Sequence, residues 1–178
     1  MAFWTDPSIE PKRKFRFRVQ LGSFDEGAIW YTKTVKKPSF QISEIDHSYL
    51  NHKFYYPGRT EWQTVDITLV DPVSPDAALK TLQIISAAGY NIPGNPNETT
   101  TMSKLKAVNS LGSVIIDQLG SEQDQLLESW TLRNAFITNV DFGDLSYEDD
   151  AISEISLTLR YDWASFTSAE ASGKQTIW

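Results

Sequence analysis

A chain of 178 residues that is 40% hydrophobic and 22% charged has the size and composition of one compact domain, not of two independent cores. It contains no Cys, which excludes a disulfide framework, a thiolate metal site and a cysteine nucleophile, and fits a reducing compartment. The net charge of −7 excludes a surface that neutralises many nucleic-acid phosphates, and without a bilayer-length apolar run or a signal-peptide pattern in Met1 to Pro7 the expectation is a soluble protein, made inside a cell, with no membrane partner.

The first element is Lys14 to Leu21, where Phe15, Phe17, Val19 and Leu21 alternate with charged or polar residues, the period of a strand with one buried face. Gly22 and Asp25-Glu26-Gly27 supply turn chemistry, and Ala28 to Val35 reads as a second strand, so the two are expected to form a hairpin. Residues 38–59 are rich in aromatics without a clean period and read as an extended loop or a projecting hairpin, closed by a turn at Pro57-Gly58. Strand character resumes from Glu61 to Val70, with Val65, Ile67 and Leu69 on one face and Trp62, Thr64, Asp66 and Thr68 on the other.

One helix is predicted over about 74–89, with Ser74 as N-cap, Pro75 at the first helical position, Asp76 against the positive end of the dipole, and Leu79, Leu82 and Ile85 as its apolar stripe before Gly89. Its expected role is to cover an open face or end of a sheet. Residues 91–101 form a polar loop with Pro and Gly, and 103–111 a short helical turn. Strands follow at Ser113 to Leu119, Leu126 to Arg133, Phe136 to Phe142 and Ile152 to Phe166. In the last, Ile155, Leu157, Leu159, Tyr161 and Trp163 alternate with Ser156, Thr158, Arg160 and Asp162. About seven strands and one flanking helix predict a mainly β, single-domain antiparallel barrel or sandwich.

In this order the segment from Tyr56 through Gly58-Arg59 and Trp62 to Asp71 resembles the glycine-arginine turn, Trp-containing strand and acidic stop of the tail tube proteins of contractile-tailed bacteriophages. The segments Asn134 to Asp141 and Glu154 to Trp163 resemble that family's closing pair of strands. The resemblance spans 14–166, leaving 1–13 as an N-terminal arm and 167–178 as a C-terminal tail. It implies a β-barrel subunit of hexameric rings stacked into a hollow tube inside a contractile sheath, a fold shared with the haemolysin-coregulated protein of type VI secretion. The implied partners are copies of itself, sheath, tape measure, initiator and terminator proteins, with double-stranded DNA passing without sequence-specific binding. It further implies assembly in the host cytoplasm, residence in the virion tail, no cofactor and no catalysis. A tube initiator or baseplate hub component, a secretion-system tube, and, from another class, a carbohydrate-binding β-sandwich are the competing readings.

His47 and His52 stand five apart with no third ligand and read as surface histidines, not a metal site or a catalytic base. The acids Asp141, Asp144, Glu148, Asp149 and Asp150 lack the spacing and turn glycine of an EF-hand. They read as a solvated turn, a contact with an adjacent subunit, or lumen residues. The strongest candidate site is the aromatic and basic stretch His47, Tyr49, Asn51, Lys53, Phe54, Tyr55, Tyr56 and Arg59. Its rings either fold back on their own barrel or meet the next ring, since aromatics and Arg are enriched at such contacts. Residues 1–60 carry ten Lys/Arg and six Asp/Glu, a balance of +4, and residues 61–178 carry six and seventeen, a balance of −11. That asymmetry reads either as solvated faces or as complementary surfaces meeting head to tail.

Overall fold

The computed structural model describes residues 11–24, 31–92, 94, 101–122, 125–148, 150–170 and 173–177. Among these the strands are β1 (Phe17–Leu21), β2 (Thr32–Val35), β3 (Phe40–Tyr49), β4 (His52–Trp62), β5 (Val65–Val70), β6 (Val114–Leu119), β7 (Leu126–Arg133), β8 (Phe136–Asp141), β9 (Glu154–Arg160), β10 (Trp163–Glu170) and β11 (Gly173–Ile177). Two helices, α1 (Ala77–Ala87) and α2 (Lys104–Leu111), lie between β5 and β6. The strands form a sheet in the order β1-β6-β7-β10-β11, a second in the order β2-β5-β9-β8, and a separate β3–β4 hairpin, with every pairing antiparallel.

Alternation builds the core. Val65, Ile67 and Leu69 stand opposite Leu159, Leu157 and Ile155, and in the other sheet Val19 and Leu21 stand opposite Ile116 and Val114, with Leu132 and Ala164 continuing the row. All of these are buried and form one cluster. Each large aliphatic side chain so placed contributes about 1.5–3 kcal/mol relative to exposure.

Two sharp corners join the sheets. The chain leaves β7 for β8 at Asn134, whose φ is 56°, and leaves β9 for β10 at Asp162. The corners are tied together: the Asp162 amide donates to the Arg133 carbonyl at 3.0 Å, and the Asn134 side-chain amide donates to the Asp162 carboxylate at 2.8 Å. This side of the barrel is closed. On the opposite side, β1 and β2 are edges of their sheets and, among the described residues, do not pair with each other.

Several expectations are corrected. The first two strands do not pair with each other, because β1 pairs with β6 and β2 with β5; residues 28–30 of the expected second strand lie outside the described set. Pro57-Gly58 is not a turn but part of β4, next to a register shift opposite Ser43. The expected strand over 61–70 is broken between Trp62 and Val65. The long strand over 152–166 is two strands in different sheets, since the alternation that reads continuously through Tyr161 is interrupted by the corner at Asp162. The chain continues in β10 past residue 166 and returns as β11, whose partner is β10. Most of the polar loop over 91–101 lies outside the described residues.

The helix begins at Ala77, not near Ser74. Asp76 is its N-cap, accepting from the Leu79 amide at 2.8 Å, and Pro75 precedes the helix. Its buried face is Ala77, Thr81 and Ile84, while Leu79 and Leu82 are 54% and 52% exposed. The spacing of three selects Leu79, Leu82 and Ile85, whereas the buried positions Ala77, Thr81 and Ile84 follow the helical i, i+4, i+7 period. The short turn over 103–111 is a full second helix, capped by Ser103 and burying Ala107 and Leu111. It packs against α1 and β8.

Candidate functional site

The β3–β4 hairpin is the largest feature outside the core. Every residue of β3 is exposed, and on β4 only Gly58 and Trp62 are partly covered. Its root is fixed by rings: Phe40 meets Trp62 edge-on at 5.1 Å between centroids, and Trp62 meets the buried Tyr161 at 5.8 Å. Burial pushes the Tyr161 phenol above its ordinary pKa. At the tip, Leu50 and Asn51 connect Tyr49 to its partner His52, with Leu50 at φ 51°.

The bulge decides what the hairpin displays. Between Ile42 and Glu44 on β3, β4 advances from Thr60 to Pro57, one residue more than its partner. Gly58 sits in this irregularity, where an added Cβ would come within 2.9 Å of the Ser43 carbonyl oxygen. The Arg59 amide donates to Ser43 Oγ at 2.8 Å. By the two-residue period, Ile45, His47 and Tyr49 share a face with Tyr56, Phe54 and His52, while Glu44, Asp46 and Ser48 share the other with Pro57, Tyr55 and Lys53. Phe40 and Ile42, on the β3 side of the root, have the parity of the second face. The hairpin's apolar side therefore changes over along its length, from the face of Phe40 and Ile42 at the root to the face of Ile45, Tyr49, Phe54 and Tyr56 toward the tip.

The predicted contact residues are thus sorted by the register. His47, Tyr49, Phe54 and Tyr56 come together; Lys53 and Tyr55 are on the reverse face; Asn51 is at the tip and Arg59 beside the bulge. Lys53 pairs with Asp46 at 2.9 Å in an exposed bridge, worth about 0–1 kcal/mol. The acidic residues lie elsewhere, on the connection between β8 and β9. Asp141 ends β8 and accepts from the Gly143 amide at 3.0 Å, Asp144, Glu148 and Asp150 are exposed, and Asp149 lies outside the described residues.

Sequence reasoning missed two features. Leu145 and Tyr147, in the acidic connection, are 94% and 110% exposed; two apolar residues without periodic partners in a charged loop were the available signal. The second is a groove of about 1010 Å³ at the open β1/β2 side, lined by Lys12, Lys14, Phe15, Lys33, Val35 and Trp130 among others. Glu128 lies in it, 6% exposed, bonded by both Lys12 and Lys37. Burial alone would raise the Glu128 pKa, and the two lysines outweigh it and hold the carboxyl below its ordinary value. At the closed corner, the hydrogen bonds from Lys104 and Asn134 lower the Asp162 pKa.

The sequence matches no protein-family model and no curated protein. The fold does have solved counterparts. A chain of the anti-feeding prophage cap, the AFP tube terminating cap, superposes with a TM-score of 0.65 at 19% identity, over 90% of this chain and 93% of that one. The chain has the fold found in contractile injection assemblies. The same fold recurs in the 6-fold symmetrised anti-feeding prophage baseplate, with a TM-score of 0.63 at 16% identity over 90% and 98% of the two chains. It recurs again in the PVC sheath-tube complex of an extracellular contractile injection system, with 0.63 at 17% over 89% and 93%. The mainly β antiparallel barrel or sandwich expected from the sequence is this fold, with two helices among the described residues where the sequence predicts one.

Proposed function

We propose that this chain is a non-enzymatic structural subunit of a contractile injection machine, forming hexameric rings that stack into a hollow tube inside a sheath. The observation that carries the reading is the β3–β4 hairpin, an extended arm whose outer half presents Ile45, Tyr49, Phe54 and Tyr56 to solvent on one face. Apolar surface of this kind marks a protein contact, and a two-stranded arm standing off its barrel is marginal alone. In the assembled tube the outer face packs against the adjacent ring, with Arg59 at its base. The tube-type fold, found in assemblies that include a sheath-tube complex and a 6-fold symmetrised baseplate, supports the same reading.

The partners of such a subunit are other copies of itself, sheath protein, a tape measure protein, and the proteins that start and end the tube. In a phage tail, residing in the virion, double-stranded DNA would pass through the channel, and a net-acidic subunit favours sliding of the phosphate backbone over sticking. The likeness to a tube terminating cap favours a second reading, an end-piece of the tube. Electron microscopy and sedimentation of the purified protein test both: tubes support the tube subunit, single rings that do not grow support the end-piece, and a stable monomer that binds a glycan overturns both.

A further inference from the structure

The groove between β1 and β2 and the acidic connection between β8 and β9 are complementary in charge and in apolar content. The segment 141–152 carries five carboxylates and no Lys or Arg, with Leu145 and Tyr147 fully in solvent. The groove offers the reverse. Lys12 and Lys37 share the single charge of Glu128, Lys14 has no ion-pair partner among the described residues, and Phe15, 70% exposed, sits beside them. The buried indole N–H of Trp130, also in the lining, has no acceptor among the described residues.

Their placement decides which molecule fills the groove. β2 and β8 are the two outer strands of the same sheet, in the order β2-β5-β9-β8, so the groove opens at one edge and the acidic loop hangs from the other. The loop residues Leu145 and Tyr147 do not lie in their own chain's groove, since they are exposed. We infer that the β8–β9 loop of one copy docks into the β1/β2 groove of the next copy around the ring, its carboxylates meeting Lys14 and the surplus charge of Lys12 and Lys37, and Leu145 and Tyr147 covering Phe15. This deepens the assembly reading above and rests on it. Such a contact joins unlike surfaces, so each copy uses its loop on one neighbour and its groove on the other, and repetition closes a ring. The lysines give orientation and encounter rate, and the apolar residues give area.

The test uses full-length protein and two variants at exposed positions, Glu148→Lys/Asp150→Lys on the loop and Lys14→Glu on the groove, with circular dichroism confirming that each folds. Native mass spectrometry should show ring formation weakened about tenfold in either variant alone, the scale of losing close interfacial charge pairs. An equimolar mixture should recover rings of alternating composition, because each reversed loop then meets a reversed groove. Since the chain has no Cys, Phe15→Cys/Tyr147→Cys gives a second measurement, in which a bismaleimide should produce an intermolecular ladder on a denaturing gel. Variants that ring as well as wild type, a mixture that stays apart, or crosslinks confined within one chain each overturn the contact. Wild-type rings with indifferent variants sink this contact alone, whereas a wild-type protein that never rings sinks the assembly reading along with it.

Discussion

The barrel and the β3–β4 hairpin are both antiparallel and both rich in large apolar residues, yet they spend those residues differently. In β5 and β9 the apolar positions Val65, Ile67, Leu69, Ile155, Leu157 and Leu159 are sealed inside; in the hairpin Ile45, Tyr49, Phe54 and Tyr56 face water. The first set holds the monomer together and the second does not. The largest expected effect follows from breaking that division. Leu157→Ala should cost about 2–5 kcal/mol of stability, because it opens a cavity in a packed core, whereas Phe54→Ala should stay within about 0.5 kcal/mol in the dissociated protein while abolishing assembly. Urea unfolding of the monomer, set beside sedimentation of the assembled form, reads both.

The junction between the two regions gives the next effect. Trp62 belongs to the hairpin by register and to the barrel by its contact with Tyr161. Replacing it by Ala removes two ring contacts and part of a half-buried side chain, an expected cost of about 1.5–3 kcal/mol. Hydrogen exchange should then quicken in the β3 and β4 amides while those of β5 and β9 keep their protection. Uniform loss of protection would mean that hairpin and barrel unfold as one unit.

The same contrast explains what was legible in the sequence. Val65 to Leu69 and Ile155 to Leu159 announce themselves because one buried face imposes a period of two. The hairpin has no buried face beyond its root, so nothing imposes a clean period, and 38–59 reads equally as loop or hairpin until Ile42 and Thr60 are seen to pair. Which strands become neighbours is a long-range property: Phe17 to Leu21 finds Val114 to Gln118 across most of the chain, and no local turn signal encodes that. The corner at Asp162 is equally hidden, since Tyr161 keeps the parity of the core and the change of sheet is enforced by bonds to Arg133 and Asn134. Of the site, the residue types were visible and their faces were not, because a single extra residue at Gly58 decides which side Tyr55 and Tyr56 present.

Glu128 probes the open side of the barrel. Its pKa is depressed in the folded protein, so its contribution to stability is present above its ordinary, unfolded value and is lost as pH falls through the lower folded value. Glu128→Gln should cost about 1 kcal/mol near neutrality, discounted because Lys12 and Lys37 are half exposed and recover hydration. The difference between wild type and variant should shrink with acidification below the ordinary carboxylate range. A gap that stays constant to pH 2 would show that the side chain acts by packing and not by charge.

The smallest effect belongs to α1, where sequence and structure choose opposite faces. Leu79 and Leu82 look like the core stripe and are half in solvent, while Ile84 is buried beside Ala77 and Thr81. Leu79→Gln and Leu82→Gln should each change monomer stability by no more than about 0.5 kcal/mol, as surface substitutions do, and Ile84→Ala should cost about 2–5 kcal/mol. Helix propensity hardly separates Leu from Gln, so a larger loss at Leu79 could come only from packing on the monomer's own surface. Thermal unfolding of the three variants in the dissociated state therefore decides which face of α1 the barrel uses, and no loss at Leu79 and Leu82 would leave them, under the proposed assembly, as surface available to another copy.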